Sequence, residues 1–176
     1  MEHARIVVER VGEVVRVEID SAGMIDGPAD QVWALATHWS GLQAQMARRP
    51  GPRQIASSEL MAGQTEQDLP RTRLLRLAPP FDHLEPLAET LLHADDQRRT
   101  AYYAVEGQAM AGMFNYLCYM TVDALPDGRS LLRFNSRFDA SDETTGKAIG
   151  EGLMSAHRDG IMAGFRMVLA GRDPRA

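Results

Sequence analysis

D-E-T-T-G-K-A-I-G-E-G-L-M-S-A-H-R-D-G-I-M-A-G-F-R-M-V-L-A-G-R, residues 142–172, is the stretch that decides the fold. Its apolar residues recur at helical spacing: Ile149, Leu153, Ile161, Phe165 and Val168 fall on one face about 100° wide or more. Ser141 or Asp142 suits the cap position, and Asp142 and Glu143 suit the positive end of the helix dipole. Gly171 and Pro174 end the pattern. The spacing predicts one long C-terminal helix.

Gly152, Ala156, Gly160 and Gly164 repeat every four residues and form a smooth strip beside the large apolar side chains. Each glycine costs about 1 kcal/mol of helix propensity relative to alanine. Two arrangements justify that cost. Either a second backbone approaches closely, or the strip borders a ligand cavity.

A chain of 176 residues builds one domain with a real core, so residues 1–176 are expected to form a single domain. A net charge of −5 without a basic run argues against a nucleic-acid surface. Apolar runs are too short to span a membrane, and the first ten residues hold no signal-peptide core. Cys118 is the sole cysteine, which excludes an internal disulfide and fits a reducing cytoplasm. The five histidines show no metal-ligand spacing, and no phosphate loop, dinucleotide fingerprint or Ser-His-Asp signature occurs. Neither a metal nor a cofactor is expected.

From the N-terminus, Ala4–Arg10 is β-rich and Val14–Ile19 alternates apolar with charged residues, extending towards Ile25. The two runs form a hairpin about Val11-Gly12, with residues 1–12 as an extra N-terminal strand. Pro28-Ala29-Asp30 opens a helix carrying Val32, Trp33, Leu35 and Ala36. Thr37–Gly41 interrupts it, and a second short helix covers Leu42–Ala47. After a turn at Arg48–Pro52 come strands at Arg53–Leu60, Arg71–Leu77, Glu85–His93, Arg99–Glu106, Phe114–Ala124 and Arg129–Phe138. Gly107–Gly112 is a small-residue loop, and Pro126-Asp127-Gly128 is a hairpin turn. A curling antiparallel sheet needs a cover, and the long last helix is the one available. The fold class is therefore α+β of helix-grip shape, with two short helices after the first strands.

The pattern I-D-G-P-A-D-Q-V-W-A-L at residues 25–35 resembles the I-x-A-P-x-x-x-V-W stretch of the START-like superfamily, also called SRPBCC. That group includes the birch pollen allergen, bacterial polyketide cyclases/dehydrases and plant abscisic-acid receptors. A-E-T-L-L-H-A-D-D-Q-R-R-T-A-Y-Y-A-V-E-G at 88–107, F-N-Y-L-C-Y-M-T-V at 114–122 and R-F-N-S-R-F-D at 133–139 are similar to later stretches of the same families. The resemblance implies a cavity between curved sheet and final helix that takes a small hydrophobic or polyketide-like molecule, as ligand or as substrate.

It also implies where the site lies. The acid of the receptors' E-x-L strand and the tyrosine of their N-Y strand correspond to Glu89 and Tyr116, and their cavity aromatic corresponds to Tyr103. Leu87, Leu91 and His93 would share the face of Glu89, and Cys118, Met120 and Val122 that of Tyr116. Met110 lies in the segment that aligns with a cavity-mouth loop, which lacks the receptors' His-Arg-Leu element. Glu89 is either an acid or base tuned by burial, or a structural partner of Arg71 or Arg73. The cyclases keep an arginine in a comparable strand, which makes Arg73 a catalytic candidate and Arg71 a ligand-binding one, their register being open. Tyr103 and Tyr116 supply phenolic donors or serve as core aromatics. Asn135 is expected to tune pocket polarity, His157 to reach the cavity rim, and Gly160 and Gly164 to line the space.

The expected function is binding of such a molecule, with cyclisation or dehydration of a polyketide-like intermediate by a lyase- or isomerase-type enzyme catalysed by Glu89, Tyr103 and Arg73. The alternatives are a non-catalytic carrier or sensor, and an interaction domain with a collapsed cavity. A homodimer is compatible with the sequence, although Gly160-x-x-x-Gly164 is no argument for one outside a membrane.

Overall fold

A computed structural model of the chain describes residues 2–48, 55–80, 82–105 and 112–176. The strands are β1 (His3–Val11), β2 (Val14–Ile25), β3 (Ile55–Leu60), β4 (Arg71–Leu77), β5 (Leu87–Asp95), β6 (Thr100–Val105), β7 (Met113–Ala124) and β8 (Ser130–Ala140). They form one antiparallel sheet in the order β1-β2-β8-β7-β6-β5-β4-β3. The chain crosses from β2 to the far edge through α1 (Ala29–Thr37), a 3₁₀ turn (Trp39–Gly41) and α2 (Leu42–Gln45). The last helix covers the concave side. It runs 27 residues without a break, from α3 (Glu143–Ser155) through a π-helical stretch (Ala156–Met162) into α4 (Ala163–Leu169). This is the helix-grip fold that the order of elements predicts.

Local sequence explains the joints. Gly12 and Glu13 form a two-residue hairpin loop between paired Val11 and Val14, and Gly12 adopts φ 63°, which such loops require. The turn falls one residue later than Val11-Gly12. Asp142 caps α3 by accepting from the Thr145 N–H at 2.9 Å. Gly171, at φ 68°, closes the far end, with its N–H on Val168 O and the Arg172 N–H on Met167 O. The helix stops at Leu169, three residues before the sequence pattern runs out.

Strand alternation sends Val15, Val17 and Ile19, Tyr103 and Val105, Cys118, Met120 and Val122, and Leu132, Phe134 and Phe138 to the concave side. There they meet Ile149, Ile161, Met162 and Phe165 of the last helix. The π-helical turn inserts a residue into the helical repeat. His157, Gly160, Ile161 and Met162 are buried along this stretch.

The glycines resolve by contact. A Cβ on Gly164 would overlap the Gln45 carbonyl oxygen and lie 2.6 Å from Ala47 N, so here a second backbone fills the strip. Gly160 takes part in the same junction, its carbonyl accepting from the Ala47 N–H at 3.0 Å. Earlier in the helix, Gly146 and Gly150 bring α3 against Val17, Ala140 and Ile6.

Gly164→Ala is expected to destabilise the chain by about 1–3 kcal/mol, because backbone must move. Gly152, where an added Cβ meets nothing within 4 Å, should gain up to about 1 kcal/mol as alanine. Denaturant melts of the two variants check both signs.

Candidate functional site

β4 and β5 set Arg73 opposite Glu89, and both side chains are buried, with residue exposures of 5% and 7%. Arg73 Nε donates to Glu89 Oε2 at 2.7 Å, and Nη2 reaches the same oxygen. The guanidinium also lies face-on over the ring of Trp39, 3.7 Å from its centroid, and Nη1 donates to the Trp39 carbonyl at 3.2 Å. The Trp39 indole N–H donates to the backbone carbonyl of Glu89 at 3.1 Å. Tyr103 packs edge-on against the indole, with ring centroids 5.4 Å apart. Trp39 itself is 1% exposed. Arginine, glutamate and tryptophan thus close a ring of contacts in the interior, and each satisfies groups that burial would otherwise strand.

Beyond Tyr103 the polar chain continues along the sheet. Tyr116 hydroxyl and Ser136 Oγ lie 3.2 Å apart. Cys118 is the cross-strand neighbour of both Tyr103 and Ser136. Burial pushes the thiol up to about 12 and holds both phenols well above their ordinary value. All three are neutral hydrogen-bonding groups around neutral pH. None is an activated nucleophile or base.

Little space remains. The crevice bounded by Trp39, Arg73, Tyr103, Met120, Phe134 and Phe165 holds ≈ 20 Å³. That is room for about one water molecule, against the ~300–1,000 Å³ of ordinary ligand pockets. The mouth lies between α1 and α2, at Leu35, Ala36, His38, Leu42 and Gln45.

The turn that carries Trp39 is tied down from outside. Glu66 accepts from the Trp39 N–H at 2.9 Å, the Ser40 N–H at 2.9 Å and Ser40 Oγ at 2.6 Å. Arg71 Nε lies 3.4 Å from the same carboxylate, and its other nitrogens donate to Thr37 O and Asp68 O. Partial burial pushes Glu66 upwards, but the hydrogen bonds from Ser40 and Trp39 and the charge of His38 outweigh it, and the carboxyl sits below its ordinary value.

The expected site residues therefore divide. Glu89, Arg73, Tyr103, Tyr116, Cys118, Leu91 and Met120 share the concave interior. Arg71 is buried beside the Trp39 turn, where it braces that turn. His157 is buried and stacks on Phe134 with centroids 4.4 Å apart. It packs against an aromatic rather than standing at a rim. Gly160 and Gly164 meet the 45–47 backbone, so they border no ligand space. Asn135 is exposed on the convex side, since Phe134 and Ser136 take the inward positions of β8. It lies in an open outer groove of ≈ 650 Å³ with Arg5, Glu18, Tyr119 and Arg137. His93 also leaves the face of Glu89, because a bulge between Leu91 and His93 shifts the alternation. Met110 lies outside the described residues. Among the described residues no three His, Cys, Asp or Glu side chains group as metal ligands, and no helix is long and apolar enough to cross a membrane.

Trp39 and Glu66 escaped sequence reading. W-S-G sits between two helical runs and reads as a break, although a tryptophan in a short break is itself a sign of burial. Glu66 lies in a polar connection that carries no pattern.

The lowered Glu66 value sets a direction. The folded state binds this proton more weakly than the unfolded chain, so its contribution is present above the ordinary carboxylate value and is lost as pH falls through the folded one. Acidification should therefore loosen the Trp39 turn, and Glu66→Gln should remove that part of the acid response. Trp39 fluorescence against pH in a Trp33→Phe background, with and without Glu66→Gln, measures the difference.

No family model matches the sequence, and no curated protein matches it. Solved structures match the fold. Norcoclaurine synthase from Thalictrum flavum, in complex with dopamine and hydroxybenzaldehyde, superimposes with a TM-score of 0.66 at 13% identity, covering 96% of this chain and 97% of that one. The XoxI protein of Bacillus cereus gives 0.67 at 20% identity over 87% and 95%. An uncharacterised protein from Bacillus thuringiensis gives 0.64 at 22% over 84% and 98%. At these identities the likeness is one of architecture, and the chain has the helix-grip fold that these proteins share.

Proposed function

We propose that the chain is a START-like protein that binds a small, flat, mostly apolar molecule bearing one polar end, between the sheet and the last helix. The observation that supports this is the cradle around Trp39. It offers a cation to one ring face, an aromatic edge from Tyr103, and a backbone acceptor at Glu89 for a single donor. An aromatic ligand with one N–H or O–H needs that same set of contacts. In the closed state described here the indole occupies the cradle, and a ligand takes its place when the Trp39–Gly41 turn swings out. The dopamine and hydroxybenzaldehyde in complex with norcoclaurine synthase are single-ring aromatic molecules. A reducing compartment such as the cytoplasm suits the buried thiol of Cys118.

A second reading rests on the Arg73–Glu89 pair beside the Tyr103 phenol. In it the chain is a cyclase or dehydratase for a polyketide-like intermediate. A substrate carbonyl draws the Arg73 guanidinium away from Glu89. The freed carboxylate then removes the proton α to that carbonyl, and Arg73 and the Tyr103 hydroxyl hold the enolate oxygen. The fold positions the reacting carbons, and Glu89 returns the proton to the leaving hydroxyl in a dehydration.

The test is a thermal-shift and native mass-spectrometry screen of phenols and aromatic carbonyl compounds, with hydroxybenzaldehyde as the first probe. Binding is expected to raise the melting temperature and change Trp39 fluorescence in Trp33→Phe. Turnover lost in Glu89→Gln, with binding retained, selects the enzyme over the carrier. No shift across the panel with invariant Trp39 emission would leave the filled interior as a permanent core and sink both readings.

A further inference from the structure

The N-terminal strand offers a self-complementary edge. β1 (His3–Val11) ends the sheet, and among the described residues no strand pairs beyond it. Its pairing with β2 is continuous over nine residues without a bulge. H-A-R-I-V-V-E-R-V contains no proline or lysine, and its charged residues Arg5 and Glu9 are of opposite sign, so they complement rather than repel a second copy of the same edge. Val11 and Val14 flank a two-residue loop and so form a hydrogen-bonded pair. By alternation, the odd residues of β1 spend their backbone groups on β2. The N–H and C=O groups of Ala4, Ile6, Val8 and Arg10 point outward.

We propose that the chain associates with a second copy of itself through β1, the two strands running antiparallel about a two-fold axis at Val7. In this register Ala4 faces Arg10 of the second copy and Ile6 faces its Val8. Every outward-pointing group then meets an outward-pointing partner. On the convex side Arg5 faces Glu9 of the other chain, twice by symmetry. The rows already in the sheet extend this pairing. Arg5 is the cross-strand neighbour of Asp20, Glu9 of Arg16, and Arg16 of Asp139, to which its Nε donates at 3.2 Å. Charges therefore alternate without interruption across the junction: Asp139, Arg16, Glu9, then Arg5 and Asp20 of the second copy. Moving the register by two residues in either direction sets Arg5 and Glu9 against valine or histidine and shortens the overlap. On the concave side Ile6 and Val8 are half-buried, and the pairing covers what remains exposed. The product is one continuous sheet with both β1 edges removed.

Four variants and the unmodified chain test this. Light scattering after size exclusion should give twice the 19.5 kDa of one chain. Arg5→Glu and Glu9→Arg each set like charges against each other twice, and each should weaken self-association about tenfold or more. An equimolar mixture of those two should recover the dimer, because each variant then meets its opposite; effects within one sheet are unchanged by mixing. Val7→Cys should crosslink under mild oxidation, since a non-hydrogen-bonded antiparallel pair sets its Cα atoms about 4.5 Å apart, within disulfide reach. Val8→Cys should not crosslink. A monomer at roughly 100 μM unmodified chain, far above the Kd of a stable dimer, overturns the proposal. So does a dimer that both charge variants leave intact, and so does absence of a Val7→Cys crosslink.

Discussion

The Arg73 guanidinium, held between the Glu89 carboxylate and the Trp39 ring, is the contact on which the interior depends. An arginine and a glutamate buried to 5% and 7% exposure carry a desolvation cost that their mutual attraction offsets only when the remaining hydrogen-bonding groups are also satisfied. Trp39 supplies what is missing. Its carbonyl takes the spare Arg73 N–H, its ring takes the cation's face, and its own N–H takes the Glu89 carbonyl. The indole is at once the plug of the sheet–helix space and the third member of a polar cluster. Removing it alone would leave a charged pair beside a hole.

That arrangement links fold to function. Here the volume enclosed between the sheet and the last helix is small, and Trp39 is the side chain on its wall that does not come from the sheet or the last helix and also carries the polar contacts of Arg73 and Glu89. The side chain belongs to a short 3₁₀ turn, not to a strand, and outside the core that turn is fastened by the carboxylate of Glu66 and by Arg71. Short turns held by a few partly exposed polar contacts are the parts of a fold that open at least cost. The sheet and last helix, joined by many apolar contacts, are not.

Much of the architecture was legible in the sequence because it follows from periodicity. The 3.6-residue pattern after Asp142 and the alternation of Val15, Val17 and Ile19 each correspond to one element and one buried face. The resemblance implied the interior positions of Glu89, Tyr103 and Tyr116, and alternation along the strand extended them to Cys118; all four are buried. Failures had separate causes. A bulge turns His93 outward. Regular alternation in β8 turns Asn135 outward, against the position the resemblance implied. His157, on the apolar face by helical counting, stacks on Phe134 inside the core instead of reaching a rim. The glycine strip left two readings open in the sequence. Only the approach of the Gln45–Ala47 backbone to Gly164 chooses between them, and that contact joins segments more than a hundred residues apart. Trp39 was missed for the same reason: its partners come from β4, β5 and β6, none adjacent in sequence.

The central claim is that the space filled by Trp39 is a cradle for a flat aromatic molecule, and indole rescue of Trp39→Ala tests it most directly. The substitution should cost about 3–5 kcal/mol and leave an aromatic-shaped void beside Arg73. Free indole should then raise the melting temperature of the variant saturably, and by more than that of the unmodified chain, where it must first displace the Trp39 side chain. A Trp39→Ala protein that gains nothing from indole, or gains no more than the unmodified chain, would contradict the account.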